Sequence, residues 1–486
     1  CDCERIDRTT KQTRRDLSYH IDDVFRPKGK NFRDFRLGRT FMAEFADKQP
    51  EWGFGDLSYF TYKRTYANAL PEGGFEEYWQ TAQRVIEGMF NVQKIHCHNN
   101  GLPWNDRKAQ RSARAAFRRM WEFKWLPAGR GISKMGTRVM YARGGAMLNS
   151  CGFTTTANID HDFSEPFTFL MDMSMLGVGI GLDMKGAGKV SINPTPTLGH
   201  GQTFVVPDTR EGWNDGLRLI LKAFAEGGTL PESFDFSLIR PEGAPIHGFG
   251  GVASGPGPLI ELYSRVIALL SRGFHVGLFA SEGVDHHMVN TTRCAGEWTP
   301  APITSTEIAD LANYIGKCVE SGGVRRSAEI LFSEPDDEEF CNLKNEFVEH
   351  RTVSNNSIFS DTITDWSEYA HDMVDRGFSR LGWMNLRRAR EYGRMSDGPN
   401  FSDMRVAGAN PCVEQSLEDK ELCCLVETFP ARHASAEEYR LTLKYAYLYA
   451  KSVTLIPTHW AKTNAVMLRN RRIGTSQSGI VQNIDK

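Results

Sequence analysis

The chain of 486 residues balances 58 lysines and arginines against 60 aspartates and glutamates, for a formal net charge of -2. Such a balance offers no extended positive field to a nucleic-acid polymer, so any nucleotide must be held by a few local groups. No run approaches the roughly 18 apolar residues that cross a bilayer, and no charged-then-apolar leader opens the chain, which makes a soluble, cytoplasmic protein the expectation.

The 10 cysteines are irregularly spaced and too sparse for a disulfide scaffold, so reduced thiols are expected. Cys1 and Cys3 form a C-x-C and Cys97 stands between His96 and His98, yet no further ligand pair follows at zinc-site spacing, and no structural metal is expected. The length admits two or three ordinary domains or one large α/β barrel with additions.

In chain order, residues 1–50 are charged and weakly periodic and read as a peripheral N-terminal extension, and 51–148 read as a helical region. Phe75, Tyr78, Ala82, Val85 and Met89 recur at three- and four-residue steps, the mark of an amphipathic helix. A second helix is predicted over 107–125, capped by Asn105 or Asp106. Thr304 with Glu307, and Ser435 with Glu438, have capping-box spacing and predict helices over 305–320 and 436–452. The short apolar segments 153–156, 180–184, 328–332, 356–359 and 472–480 lack long alternation. They suit strands buried on both faces of an α/β sheet or barrel, a choice that the pattern alone leaves open.

Glycines, 45 in all, cluster at 177–188, 243–257 and 321–323. Gly248-Phe249-Gly250-Gly251-Val252-Ala253 spells the dinucleotide pattern G-x-G-x-x-A, but Pro245 precedes it and Gly255-Pro256-Gly257-Pro258 opposes a helix after it, so no dinucleotide site is expected there.

A cysteine in a folded chain is most often a small buried hydrophobe, and Cys97, Cys294, Cys318 and Cys341 fit that reading, Cys318 on the inner face of the 305–320 helix. Cys412 departs from it. In Asn410-Pro411-Cys412-Val413-Glu414 the proline breaks regular structure and holds the thiol on a loop, while Asn410 and Glu414 bring polar groups that a core would have to satisfy. Cys423 follows 11 residues later, and Cys151, in Asn149-Ser150-Cys151, lies far upstream. One thiol with an amide and a carboxylate beside it, and two more thiols able to form a disulfide, suit a radical reduction.

The Asn-Pro-Cys-x-Glu run resembles the finger loop of ribonucleotide reductases, and the surrounding segments resemble most the monomeric, adenosylcobalamin-dependent ribonucleoside-triphosphate reductases. Tyr62-Lys63-Arg64-Thr65-Tyr66-Ala67, Asn149-Ser150-Cys151, Pro207-Asp208-Thr209-Arg210-Glu211-Gly212-Trp213, Ile246-His247-Gly248-Phe249-Gly250-Gly251, Val324-Arg325-Arg326-Ser327-Ala328-Glu329, Ser354-Asn355-Asn356-Ser357 and Asn470-Arg471-Arg472-Ile473-Gly474 recur in family order. The likeness runs from about Trp52 to the end. It implies a ten-stranded α/β barrel, incomplete in this chain, with a helical N-terminal layer. On this reading 149–486 is the partial barrel and about 185–327 an effector-binding insertion.

The resemblance further implies the roles. Cys412 is the thiyl-radical residue that takes hydrogen from C3′ of the substrate ribose, Glu414 accepts the 3′-hydroxyl proton, and Asn410 orients the ribose hydroxyls, with Ser150 also at the substrate. Cys151 and Cys423 supply two electrons and end as a disulfide, which requires their Cα atoms to come within about 7 Å. Ser321, Gly322, Gly323, Val324, Arg325, Arg326 and Ser327 resemble the loop that senses a deoxynucleoside triphosphate effector, its arginines suited to phosphate or base contacts. Residues 164–175 join that effector portion. Thioredoxin or a similar dithiol is the implied reductant.

Two departures stand out. Val413 occupies a position that is usually glycine in the family, so the loop must avoid positive φ there or carry strain. Cys424 adjoins Cys423 and competes for the redox role, although the spacing from Cys412 matches the family only for Cys423. The chain also starts without methionine and stops at Lys486, before the family's remaining barrel, most of its adenosylcobalamin site and its C-terminal cysteine pair, so a fragment, or one half completed by a C-terminal polypeptide, is expected. The competing readings are the large chain of a reductase with a separate metal radical subunit, and a non-catalytic nucleotide-binding regulator.

Overall fold

A computed structural model describes residues 4–7, 12–15, 19–29, 31–246, 251–272, 278–280, 288–291, 299–321, 328–376, 381–393 and 397–484. Residues 1–150 with 422–486 make one compact unit and residues 151–421 a second.

Past two strands (Glu4–Asp7, Gln12–Arg15) and two helices (Arg39–Ala43, Asp56–Thr65), the first unit builds on helices α1 (Tyr78–Asn99) and α2 (Asp106–Trp121) and the short strand β1 (Trp125–Pro127). Helix α1 starts after the exposed Phe75, because Glu77 and Gln80 close a capping box at its head. Asn105, not Asp106, caps α2 by accepting from the Lys108 amide. The helix stops short of the predicted 125 because Phe123 turns to φ 51°. Among the described residues before 50, Phe35, Phe41 and Met42 are buried, Phe35 stacking on Phe90 of α1 and Phe41 meeting Phe117 of α2 edge-on. Phe35 is a single aromatic in a loop, and Phe41 and Met42 sit in a five-residue helix (Arg39–Ala43) too short to show a period, which is why the sequence pattern hid them.

The second unit runs β2 (Cys151–Thr154), α3 (Glu165–Met175), β3 (Gly179–Asp183), β4 (Thr197–Val205), α4 (Arg210–Ala225), β5 (Thr229–Asp235), α5 (Gly257–Leu270), β6 (Leu278–Ala280), β7 (Met288–Thr291), α6 (Ser305–Glu320), β8 (Glu329–Ser333), β9 (Ser354–Phe359), β10 (Gly382–Met384), β11 (Gly408–Ala409) and β12 (Ser416–Leu417). Five of these strands form a parallel sheet in the order β10-β9-β8-β3-β2. Every residue of β3 and β8 is buried, Asp183 and Glu329 included, which accounts for their lack of alternation. Helix α6, with the expected Thr304–Glu307 capping box, packs on α3 and α5. Between β3 and α6 lies a second sheet, ordered β4-β5-β7-β6.

One expectation fails near the glycine cluster. A helix does open at Gly257, because Pro258 sits in its first turn, where the missing N–H has no intrahelical partner to lose. Gly248, Phe249 and Gly250 of the G-x-G-x-x-A segment lie outside the described residues, as do His247 and Cys294.

The chain then returns to the first unit through β13 (Leu422–Thr428), α7 (Ala436–Val453) and β14 (Ile473–Gln477). Strand β13 pairs in parallel with β14 and antiparallel with β1, and α7 packs across β13, β1 and α1. Among the described residues, no helix is long and apolar enough to cross a membrane.

Candidate active site

In the second unit β11 and β12 form a narrow hairpin, with Ala409 opposite Ser416 and the residues 410–415 at its tip. Asn410, wholly buried, ties this tip together. Its side-chain oxygen accepts from the Gln415 amide at 3.0 Å, its carbonyl accepts from the Val413 amide at 2.9 Å, and its side-chain nitrogen donates to Glu414 Oε1 at 2.6 Å. The turn closes only with Val413 at φ 61°, so the β-branched residue does sit in the left-handed region.

Missing side chains give the hairpin its seat. Gly179 and Gly181 occupy one face of β3; a Cβ at Gly181 would strike the Ala409 carbonyl, and one at Gly179 would come 3.1 Å from Pro411 Cγ. On the hairpin itself, a Cβ at Gly408 would enter the Phe153 ring of β2. Gly179 and Gly181 of the 177–188 cluster are therefore a cradle for the loop, a role that the sequence pattern did not reveal.

Cys151 heads β2 in register with Gly179. Cys412 is exposed at the tip, and its thiol is raised above the ordinary range by partial burial first, then by the charges of Glu414 and Cys151 and a hydrogen bond with Glu414. Cys412, Glu414, Asn410 and Cys151 are thus brought together. Because the shift is upward, the sulfur keeps its hydrogen at neutral pH. A nucleophilic cysteine needs the opposite. Sequence reasoning missed the anchors at the hairpin base, where Asp419 Oδ1 accepts from the Thr155 amide at 3.0 Å and the Lys420 amide donates to the Phe153 carbonyl at 2.9 Å. Their only sequence signal is a charged run leading into an apolar strand.

In the first unit, Cys423 and Cys424 are adjacent and fully buried in β13. Burial pushes the Cys424 thiol up to about 12, and Cys424 stands near enough to Tyr449 of α7 to act on its phenol. Cys424 therefore faces α7, and strand alternation turns Cys423 to the other face. The Ser150 amide donates to the Cys423 carbonyl at 3.0 Å, and Arg130 donates to the Asn149 and Ser150 carbonyls at 3.0 and 3.3 Å.

Of the loop residues named from the sequence, Ser321 follows α6, its hydroxyl donating to the Lys317 carbonyl at 2.9 Å, whereas Gly322, Gly323, Val324, Arg325, Arg326 and Ser327 lie outside the described residues. Ser321 lines a cavity of about 560 Å³ with Ser237, Glu242, Ser254 and Pro256.

Comparison with known proteins bears on this arrangement. A family model described as "Ribonucleotide reductase alpha domain" matches residues 37–137, and one described as "B12-dependent ribonucleotide reductase, insertion domain" matches 185–270. The probable adenosylcobalamin-dependent ribonucleoside-triphosphate reductase of Dictyostelium discoideum is 41% identical over 475 residues, covering 93% of this chain and 59% of that protein. The adenosylcobalamin-dependent enzymes of Euglena gracilis and Lactobacillus leichmannii are 41% and 32% identical, with 92% and 91% of this chain and 59% and 64% of theirs covered. The chain thus spans 59 to 64% of the length of these relatives. A crystal structure of a B-12 dependent (class II) ribonucleotide reductase superposes with a TM-score of 0.75 at 30% identity, over 92% of this chain and 66% of that one. The mixed α/β architecture with a mainly parallel sheet is shared with that structure, and over nine-tenths of its length the chain is similar to B12-dependent ribonucleotide reductases.

Proposed function

We propose that the chain carries the ribose-reducing site of an adenosylcobalamin-dependent ribonucleoside-triphosphate reductase, making 2′-deoxyribonucleoside triphosphates for DNA synthesis. The observation that carries this reading is the exposed, protonated Cys412 thiol held beside Cys151 and the Asn410–Glu414 pair. Adenosylcobalamin, when bound, supplies the initiating one-electron oxidation of a thiol. An exposed sulfur at a hairpin tip fits such a source, and Cys412 is the residue that would face it.

The residues then divide the work. The Cys412 sulfur, as a thiyl radical, takes the hydrogen from C3′ and returns it at the end of the cycle. Glu414 receives the 3′-hydroxyl proton, its carboxylate held by the Asn410 amide. Cys151 and Cys423 give up two protons and two electrons: the C2′–O bond breaks, the hydroxyl leaves as water, hydrogen takes its place and the two sulfurs join. A dithiol protein of the thioredoxin kind restores them. Ser150 contributes to the substrate site, and the 321–327 loop with the 185–327 insertion reads a deoxynucleoside triphosphate. A cytoplasmic setting supplies the nucleotides and the reductant. The match of the insertion to a B12-dependent domain favours this reading over a large chain served by a separate metal radical subunit.

The test is deoxynucleotide formation by the full-length protein from ribonucleoside triphosphates with adenosylcobalamin and a small dithiol. Cys412→Ser should abolish the product and leave nucleotide binding intact. Undiminished turnover in that variant would overturn the radical assignment, and reduction of diphosphates alone would overturn the substrate level.

A further inference from the structure

Eight residues past Cys412, where the hairpin's returning arm meets β2, Lys420 is buried with its side chain 1% exposed. Its ammonium donates to Thr154 Oγ1 at 2.7 Å, lies 4.5 Å from the centre of the Phe169 ring and stands 4.0 Å from Glu165 Oε2. Thr154 belongs to β2, Phe169 and Glu165 to α3. The Lys420 backbone is at φ 61°, a conformation that a lysine keeps only where its surroundings fix it. Asp419, beside it, takes both the Thr155 amide and the Thr154 hydroxyl, at 3.0 and 3.3 Å.

An apolar side chain would fill this space without the cost of taking an ammonium out of water. The position therefore selects for where the charge stands, held by a hydroxyl, an aromatic face and a carboxylate. The ground beneath it is firm: α3 is joined to α4 by an ion pair of Asp172 with Arg210, and its leading turn is held where the Phe163 amide donates to Glu226 Oε1 at 2.9 Å. The hairpin that carries Cys412 is thus fastened to the strand that begins with Cys151 and to a braced helix.

We propose that Lys420 is a positioning residue for the radical thiol: its buried ammonium locks the hairpin base to β2 and α3 and so fixes where Cys412 stands relative to Cys151. The proposal rests on the reading of Cys412 as the radical residue. It acts through geometry, and a misplacement of about 1 Å costs a reaction of this kind up to about a hundredfold.

The experiment compares Lys420→Met, Lys420→Arg and Thr154→Val in the full-length protein by steady-state reduction and by the rate of Cys412 alkylation with iodoacetamide, read by peptide mass spectrometry. In Lys420→Met, kcat should fall roughly tenfold to a hundredfold while the nucleotide KM moves by less than about twofold. Cys412 alkylation should quicken at least roughly threefold as the hairpin loosens. Lys420→Arg, which keeps the charge, should recover most of both. If Lys420→Met does not fold, Thr154→Val must move both readouts in the same direction. A folded Lys420→Met, or a Thr154→Val, with wild-type kcat and wild-type alkylation overturns the proposal. Altered alkylation in a protein whose wild type reduces no nucleotide would support the clamp and overturn the proposed function instead.

Discussion

The Asn410 amide and the Glu414 carboxylate are bonded to each other across the hairpin tip at 2.6 Å, the amide belonging to a wholly buried residue and the carboxylate to an exposed one. A general base works only when its oxygen is held where the proton will be. Burying the amide fixes the exposed carboxylate without burying its charge. Glu414→Gln should lower deoxynucleotide formation by about 10²- to 10⁴-fold with little loss of nucleotide affinity, measured by turnover and by equilibrium titration. Asn410→Ala should lower both, because it also strips the Gln415 amide of its acceptor. Near-normal turnover in Glu414→Gln would remove the carboxylate from the chemistry.

Val413 at φ 61° is a strained β-branched residue in a backbone conformation that suits glycine. Left-handed backbone costs a side-chain-bearing residue about 1–2 kcal/mol, and glycine gives back about 0.5–1 kcal/mol in unfolded-state entropy. Val413→Gly should therefore raise stability modestly, by up to about 1 kcal/mol, seen as a higher urea midpoint with an unchanged slope. A lower midpoint would show that packing of the valine outweighs its backbone strain.

The neighbouring thiols of β13 should separate cleanly. Cys424→Ala, on the α7 face, should cost about 1 kcal/mol of stability through lost packing and leave reduction running. Cys423→Ser should leave the fold intact and stop net reduction. After one turnover without added dithiol, peptide mapping should find Cys151 joined to Cys423. A Cys151–Cys424 link would reverse the assignment.

Strands without polar alternation and helices with capping boxes were legible because burial on both faces and satisfaction of helix-end amides each leave a local mark. The loop placement of Cys412 and Glu414 was legible for a related reason, since a proline-held thiol beside a carboxylate makes no sense as core, whereas Asn410 is buried with its side chain satisfied. The glycine cradle under the hairpin and the Lys420 anchor were not, since each depends on a partner about 230 to 270 residues away. Phe35 and Phe41 escaped notice because a loop and a five-residue helix can each bury single aromatics without any period.

The Cys412 thiol should titrate above an ordinary one, because partial burial and the Glu414 charge both disfavour its anion. The sign follows from linkage. A folded-state pKa above the unfolded value contributes stability that is full below the unfolded thiol range, near about pH 8.5, and is lost as pH climbs through the folded value. Alkylation of Cys412 in the folded protein should accordingly lag that of a free cysteine peptide through that range and catch up only at higher pH. Glu414→Gln removes the second cause but not the first, so its profile should move part of the way down. A Cys412 that reacts faster than the peptide near neutral pH would be a nucleophile's thiolate, and the hydrogen-atom chemistry assigned to it would have to be abandoned.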